Sequence, residues 1–392
     1  MRMRKATSVL MGLLLAGVAA TPAHAESIRS QQWHLDSMKA DEMWKTSTGK
    51  GVTVAVIDTG VGRLPELEGQ VLPGKNFATN ARGDERTDYD GHGTTMAAMI
   101  AGTGKHPSGD GAFGLAPGVK IMPLRVKDDA DPRSPSWTEA IRYAADSDAK
   151  VINISLATGG QGVGDDPARA EAVKYAVSKG KLIFAGVGNS AQGTNNVLYP
   201  AATPGVVGVG AIDRQGNATA ESQKGAQVDL AAPGMDIVVA CTKQTGVCKN
   251  HGTSDATALA SASAALIWSA HPDWTNNQVL RVLLNTAGKP RDGVQRNNHI
   301  GYGVVRPRIA LTNPGDPGPA NEWPLPDLAA AASPPPNSPA PAPPAASAPA
   351  AQADKADTDS GGSSLPWIAL GIGAAVLIGG AVTAVVVRGR NR

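Results

Sequence analysis

The sequence has little that would indicate a small cross-linked domain or a nucleic-acid partner. Its 392 residues include two cysteines, too few for a disulfide-dense mini-protein or a four-cysteine zinc site. Lysine and arginine number 36 against 34 acidic residues, a balance that gives no overall attraction to nucleic acid. Aromatic residues make up 4% of the chain, whereas glycine reaches 46 and proline 29. This composition favours an α/β core joined to irregular, proline-rich sequence.

Residues 1–25 have the pattern of a secretory signal peptide. Three basic residues near the start precede an apolar run over residues 9–20, which is short for a bilayer span, and Ala23-His24-Ala25 offers a small-x-small cleavage site. We expect cleavage after Ala25; an uncleaved anchor is the alternative.

Residues 365–387 are predicted to form one transmembrane helix, followed by a basic tail over 388–392. The 21 residues from 367 to 387 carry no charge, and a helix of this length extends about 31 Å, enough to cross the hydrocarbon core. Positive flanking charges stay cytoplasmic, so both ends of the chain predict that its bulk lies outside the cell membrane. The sortase motif Leu-Pro-x-Thr-Gly is absent, because Leu365-Pro366 is followed by Trp367.

Residues 314–364 are predicted to be a linker. Thirteen of the 29 prolines lie in this stretch, among alanine, serine and aspartate. Such a composition buries too little apolar surface to offset its ordering entropy, and polyproline II segments stiffen it. Residues 26–313 therefore remain for the folded domain.

The folded segment has the pattern of a parallel α/β sheet. Near-continuous apolar runs alternate with helical stretches, at residues 52–57, 120–126, 151–156, 182–187 and 206–209. We predict a largely parallel central sheet with helices on both faces. In such sheets, functional side chains gather at the carboxyl ends of the strands.

Three segments place reactive side chains at expected strand ends or helix starts. Asp58 follows a strand, His92 lies between two glycines at the start of an apolar helix, and Ser254 opens a helix of small residues. These groups can supply the orienting acid, the base and the nucleophile of acyl transfer. Each alone is ambiguous, and for Asp58 taken alone a turn aspartate is the better interpretation.

In the order Asp, His, Ser with these flanks, the chain resembles the subtilisin-like serine proteases. Further segments match the family pattern at residues 151–156, 184–189, 199–201, 206–212, 230–234 and 301–305. The resemblance covers roughly residues 33–311. It implies that Ser254 is the nucleophile, His92 the base and Asp58 its orienting acid. It also implies that Asn189 donates to the oxyanion together with the backbone N–H of Ser254.

The same resemblance implies a substrate-binding pocket walled by two short segments, and these residues are Ser155, Leu156, Ala157, Gly186, Val187 and Gly188. Two residues depart from the common family pattern. Ala258 stands where most relatives have proline, and Asp255 directly follows the nucleophile. A carboxylate there can raise the pKa of His92 or oppose the oxyanion.

The order of segments resembles one branch of the family, the mycosins, which are membrane-anchored proteases of actinobacterial type VII secretion systems. Residues 26–48 are too few for an independently folded pro-domain, and residues 32–35 are expected to pack on the catalytic body. The resemblance implies protein substrates, contact with a secretion membrane complex and no nucleic-acid partner. The alternative is a catalytically idle subunit of subtilisin fold that stabilises such a complex.

Cys241 and Cys248 fit a disulfide in an oxidising compartment, and a metal pair is the weaker interpretation. No cofactor is expected. Structural calcium is conceivable at an acidic run before His92, but this run lacks EF-hand spacing and is more typical of a solvated loop. The run comprises Asp84, Glu85, Asp88 and Asp90.

Overall fold

The computed structural model describes residues 26–78, 81–126, 135–159, 166–243 and 245–332. The predicted signal peptide, the linker beyond residue 332, the predicted span and the basic tail lie outside these residues. Within the described ranges, none of the helices combines the length and apolar character needed to cross a bilayer.

The core of the fold is a seven-stranded sheet in the order β2-β3-β1-β4-β5-β6-β7, with every neighbouring pair parallel. The predicted parallel sheet is thereby confirmed. The strands are β1 (Thr53–Asp58), β2 (Lys75–Asn76), β3 (Lys120–Arg125), β4 (Val151–Ile154), β5 (Leu182–Gly186), β6 (Val206–Ile212) and β7 (Leu230–Pro233).

Helices cover both faces of the sheet, as the buried strands require. Side chains alternate along each strand, so Val54 and Val56 join one hydrophobic cluster while Ala55 and Ile57 join the other. The helices described are α1 (Ile28–Gln31), α2 (Trp33–Met38), α3 (Ala40–Met43), α4 (His92–Ala101), α5 (Pro135–Ala145), α6 (Pro167–Ser178), α7 (Thr253–Ala270), α8 (Asn276–Thr286), α9 (Pro307–Thr312) and α10 (Asp327–Ala332). Helices α5 and α6 pack on one face, and α4 and α7 on the other.

Helix α7 lies directly against the sheet because its residues are small. Its 18 residues are mostly alanine, serine and threonine, so its backbone approaches β4 to β7 closely. Ser261, a polar residue on its buried face, has a partner in the sheet: Ser261 Oγ donates to Asn153 Oδ1 at 3.0 Å. The close packing fixes the position of the first turn of α7 relative to the strand ends.

The N-terminal extension packs on the catalytic body, as expected. Gln32 is buried, and its amide donates to the carbonyls of Phe113 at 2.7 Å and Val238 at 3.1 Å. The indole N–H of Trp33 donates to the carbonyl of Met235 at 3.0 Å. These contacts join residues more than 80 positions apart, so the extension is part of the domain.

The folded domain continues past the expected boundary at residue 313. Leu325 is buried, and Arg281 of α8 donates to the carbonyls of Pro317 and Pro319 at 2.9 and 3.0 Å. Composition predicted a linker from residue 314, but the first part of that stretch is ordered, because α8 supplies hydrogen-bond donors to its proline-rich backbone.

A two-stranded antiparallel hairpin, β8 (Ile237–Ala240) and β9 (Val247–Asn250), leads into α7. The sulfur atoms of Cys241 and Cys248 lie at bonding distance across this hairpin, with their Cα atoms 5.8 Å apart. The hairpin ends two residues before the first turn of α7.

Candidate active site

The carboxylate of Asp58 contacts the imidazole of His92. Asp58 is the last residue of β1 and is 0% exposed, and its Oδ1 lies 2.7 Å from His92 Nδ1. The backbone N–H of Thr59 donates to the same oxygen at 2.8 Å. These contacts hold the carboxylate in place and direct the Nδ1–H of the imidazole towards it.

The glycines beside His92 are required by the backbone. Gly91 has φ of 87°, a left-handed conformation that disfavours other residues. A Cβ at Gly93 would lie 2.2 Å from the carbonyl oxygen of Gly60. The flanking glycines thus allow the start of α4 to approach the end of β1.

Asp88, from the acidic run, anchors the start of α4. Its two oxygens accept from the backbone N–H groups of Gly91 and Thr94, each at 2.8 Å, and Oδ1 also accepts from Thr59 Oγ1. Asp88 is therefore a helix-capping residue rather than part of a solvated loop. Among the described residues, no three His, Cys, Asp or Glu side chains cluster closely enough to hold a metal ion. Calcium binding stays a prediction.

The pKa of His92 is raised from its ordinary value to about 9. Burial by itself lowers this pKa, but the charge of Asp58 and the hydrogen bond to it outweigh burial. Asp255 and Asp90 raise the pKa further. The site stabilises the imidazolium form of His92.

Ser254 and Ser155 exchange a reciprocal pair of hydrogen bonds. Ser254 Oγ donates to the carbonyl of Ser155 at 3.0 Å, and Ser155 Oγ donates to the carbonyl of Ser254 at 3.1 Å. The Ser254 hydroxyl is therefore directed at the end of β4 rather than hydrogen-bonded to His92. It lies in the first turn of α7, where the helix dipole favours an anion.

Asn189 contacts the turn that precedes Ser254. Its Oδ1 accepts from the backbone N–H of Thr253 at 2.8 Å. A Cβ at Gly252 would lie 2.8 Å from Asn189 Nδ2, so this amide N–H₂ group lies beside the same turn. Gly252, with φ of 132°, allows that close approach.

The two predicted pocket segments follow adjacent strands. Ser155, Leu156 and Ala157 follow β4, while Gly186 ends β5. The N–H of Gly188 donates to Thr253 Oγ1 at 3.2 Å, which ties its segment to α7. Sequence reasoning missed Thr253; its position beside the expected nucleophile was the available signal.

The side chain of Val187 does not line the site, and a role for this residue in the pocket stays a prediction for its backbone. The side chain is 0% exposed and packs in the cluster beneath α5 and α6, and its N–H donates to the carbonyl of Val209 at 3.1 Å. Alternation along β5 explains this: Gly186 and Gly188 face one side, and Val187 the other.

Asp255 is a buried carboxylate directly after Ser254. It is 1% exposed, and neither oxygen makes a hydrogen bond of acceptable geometry to another described residue. Burial raises its pKa to about 7, and the charge of His92 and the nearby Asn250 side chain oppose this shift. Ala258, the other departure from the family pattern, is fully buried one turn further along α7.

Comparisons with known proteins agree with this geometry. The model of the subtilase family matches residues 49–303. Mycosin-1 of Mycolicibacterium smegmatis is 32% identical over 79% of this chain and 77% of its own length. The crystal structure of MycP1 with the N-terminal propeptide removed is 33% identical, has a TM-score of 0.65, and covers 74% of this chain and 99% of its own. A chain in the periplasmic assembly of the ESX-5 inner membrane complex is 29% identical, has a TM-score of 0.66, and covers 82% of this chain and 91% of its own.

The fold and these matches define a serine endopeptidase of subtilisin type, and the chain belongs to the subtilase family. Within that family it belongs to the mycosin branch.

Proposed function

We propose that this chain is a membrane-anchored, extracytoplasmic serine endopeptidase that uses Asp58, His92 and Ser254 as its catalytic triad. The observation that carries the proposal is the 2.7 Å contact between His92 Nδ1 and the buried carboxylate of Asp58. A carboxylate in this position orients the imidazole and stabilises its charged form, which a general base for serine requires.

In the proposed reaction, Ser254 Oγ turns from the carbonyl of Ser155 towards His92 Nε2. The Oγ–H proton moves to Nε2 as Oγ bonds to the carbonyl carbon of the substrate. His92 then returns this proton to the leaving amine nitrogen as the peptide bond breaks. Water hydrolyses the resulting ester on Ser254 by the same proton route.

Asn189 is the proposed oxyanion donor, together with the backbone N–H of Ser254. Its Nδ2 lies beside the turn before Ser254, while its Oδ1 is held by Thr253. Backbone groups of residues 155–157 and 186–188 are proposed to pair with an extended protein substrate, since both segments follow strands at the same sheet edge.

The cellular setting is proposed from the chain ends and from the relatives. The signal peptide, the span over 365–387 and the tail predict a single-pass protein with its catalytic domain outside. An extracytoplasmic location also supports a disulfide between Cys241 and Cys248. A chain of the same fold occurs in the ESX-5 periplasmic assembly, which supports association with a type VII secretion membrane complex and substrates exported by it.

The alternative is a catalytically idle subunit that stabilises the secretion complex. Two observations favour it: the Ser254 hydroxyl bonds to Ser155 instead of His92, and the Asp255 carboxylate lies next to the nucleophile. A negative charge at that position opposes the developing oxyanion.

A fluorophosphonate probe separates the two functions. We expect the purified full-length chain to form a covalent adduct that is absent in Ser254→Ala, and a substitution of the exposed Ser108 to alanine serves as the matched control. An adduct that persists in Ser254→Ala, or no adduct in any form, contradicts the proposed protease.

Deletion of residues 365–392 tests the anchor. We expect the truncated chain to leave the membrane fraction, whereas deletion of linker residues 336–350 retains membrane association. A truncated chain that remains in the membrane fraction contradicts the anchor.

A further inference from the structure

A cleft with strongly basic walls lies beside the ends of β6 and β7. It encloses about 540 Å³, and Ile212 and Pro233, the last residues of the two strands, form part of its lining. The cationic residues that line it are Lys39, Arg214, Lys289, Arg291, Arg306 and Arg308. They come from four separate parts of the sequence and meet only in the folded chain.

The positive charge of this cleft is not neutralised within the described part of the chain. None of the six cationic groups forms an ion pair with a described residue. Asp213 is the one carboxylate among the described lining residues, and its oxygens accept from Gln215 and Asn217. The pKa of Asp236 is lowered by its hydrogen bond to Lys249 and, to a smaller extent, by the charge of Arg214, and Asp236 is paired with Lys249 at 2.9 Å.

Arg306 and Arg214 are held in place by contacts within the fold, and all six cationic side chains are accessible. Arg306 donates to the carbonyls of Thr286 and Ala287 at 2.8 and 3.1 Å. The guanidinium carbon of Arg214 lies 5.3 Å from the ring centroid of Trp33. Each of the six is exposed or half-exposed. Burial, and then the charge of Arg306, lower the pKa of Lys289, as expected where cations crowd together.

The cleft also has apolar walls. Trp33 and Met38 of the N-terminal extension line one part of the cleft, and Ile300 and Ile309 line another part. A lining of arginine and apolar side chains suits a polypeptide that alternates carboxylates with apolar residues, because arginine pairs with carboxylates through two parallel hydrogen bonds. A phospholipid headgroup or nucleic acid would use the charge but not these walls.

The position of the cleft relates it to catalysis. The carboxyl ends of parallel strands lie at one edge of the sheet, so β4, which Ser155 follows, and β7, which borders the cleft, end on the same side. Three strand spacings separate β4 from β7, roughly 14 Å. An extended substrate of a few residues spans that distance.

We propose that this basic cleft is an exosite that binds an acidic segment of the protein substrate, away from the scissile bond. The inference rests on the proposed protease function, since it assigns the bound segment to a substrate. The N-terminal extension thereby gains a role as one wall of a binding site.

Binding is measured by fluorescence anisotropy on full-length Ser254→Ala, so that cleavage plays no part. The probe is a labelled peptide of alternating Glu and Leu, compared with one of alternating Gln and Leu. We expect saturable binding of the Glu peptide that weakens with added salt, and none of the Gln peptide. Equal binding of both peptides, or no saturation by either, overturns the proposal.

A charge-matched pair of double variants locates the site. Arg291→Glu with Arg308→Glu is expected to weaken binding of the Glu peptide about tenfold or more, because like charges then face each other. Lys105→Glu with Lys174→Glu changes net charge equally at exposed positions outside the cleft lining and is expected to leave affinity unchanged. Two results overturn the assignment to this cleft. One is an equal loss of affinity for the Glu peptide in both double variants. The other is loss of Glu-peptide binding when Ser254 of the wild-type chain carries the fluorophosphonate adduct.

A second arm identifies the source of the acidic segment. Fusing the Glu-Leu segment to a fluorogenic peptide that the wild-type chain cleaves is expected to lower KM and leave kcat unchanged, an effect lost in the Arg291/Arg308 double variant. An unchanged KM despite peptide binding overturns the substrate assignment. Cleft-dependent binding to phosphatidylglycerol vesicles in preference to the peptide overturns the polypeptide assignment. Because binding is measured without catalysis, its failure is distinguishable from failure of the protease proposal.

Discussion

The buried carboxylate of Asp255 acts on His92 from the side of Ser254, so the imidazole is influenced by Asp255 and Asp90 as well as by Asp58. Asp58 bonds to His92 Nδ1 at 2.7 Å, and Asp255 adds a second negative charge that raises the pKa of His92 further. Asp255 itself is buried and carries a pKa raised to about 7. In the proposed mechanism, a carboxylate beside Ser254 therefore affects the base as well as the oxyanion.

This arrangement predicts an alkaline pH profile. A general base must be neutral, so kcat/KM of the wild-type chain is expected to rise with pH through about 9, where His92 loses its proton. Asp255→Asn removes a charge that favours the imidazolium form of His92. We therefore expect the rise of kcat/KM with pH to occur at lower pH in this variant. Asp148→Asn, at an exposed position outside the site, serves as the control. A rise that stays at the same pH or moves to higher pH in Asp255→Asn contradicts this role.

We propose two functions for Asn189, which separate variants can distinguish. Asn189→Ala is expected to lower kcat about 10²- to 10³-fold, as loss of an oxyanion donor does. Asn189→Asp keeps an oxygen that accepts from Thr253 N–H but removes the N–H donor. We therefore expect kcat to fall in both variants, while the free energy of unfolding stays close to wild type only in Asn189→Asp. Wild-type kcat in Asn189→Asp would exclude the donor role.

The N-terminal extension is predicted to contribute to the stability of the whole domain. Gln32 is buried and makes hydrogen bonds with Phe113 through both its amide and its oxygen, and a further one to Val238. Gln32→Ala leaves these buried groups unpaired, and we expect a loss of about 3 kcal/mol in denaturant unfolding. The exposed neighbour Gln31, with one hydrogen bond to Glu26, is the control: Gln31→Ala is expected to change stability little. Equal effects would mean that the extension does not stabilise the body.

The hairpin before Ser254 is predicted to be stabilised by its cysteines. Replacing Cys241 and Cys248 by serine removes a link between residues seven positions apart, which is expected to cost about 2.5 kcal/mol in the loop-entropy model. The measurement is denaturant unfolding with and without reductant. Reductant should lower the stability of wild type and leave the double variant unchanged. A reductant-insensitive wild type refutes the disulfide.

Local sequence was sufficient for much of this protein. Apolar runs predicted β1, β3, β4, β5 and β6, because a strand buried on both faces has few polar positions. The short edge strand β2, with two residues, leaves no such pattern. The start of α6 is a local feature: Asp166 accepts from the N–H of Ala168 at 3.0 Å and Pro167 is the first helical residue, because capping depends only on neighbouring residues.

The sequence did not show which residues far apart in the chain would interact. The order of motifs indicated Asp58, His92 and Ser254 as candidates, yet it did not show that the Ser254 hydroxyl would bond to Ser155. The burial of Val187 and the hydrogen bonds between residues 317–322 and α8 also depend on what surrounds each segment.

The sequence by itself determined the parallel α/β class and the candidate catalytic residues, because both depend on periodicity and short motifs. Tertiary structure alone decided which charges meet. It placed Asp255 close enough to His92 to change its pKa, and it gathered six cations from residues 39 to 308 around one cleft. Electrostatic interactions depend on distance through space and on burial, and neither is specified by position along the chain.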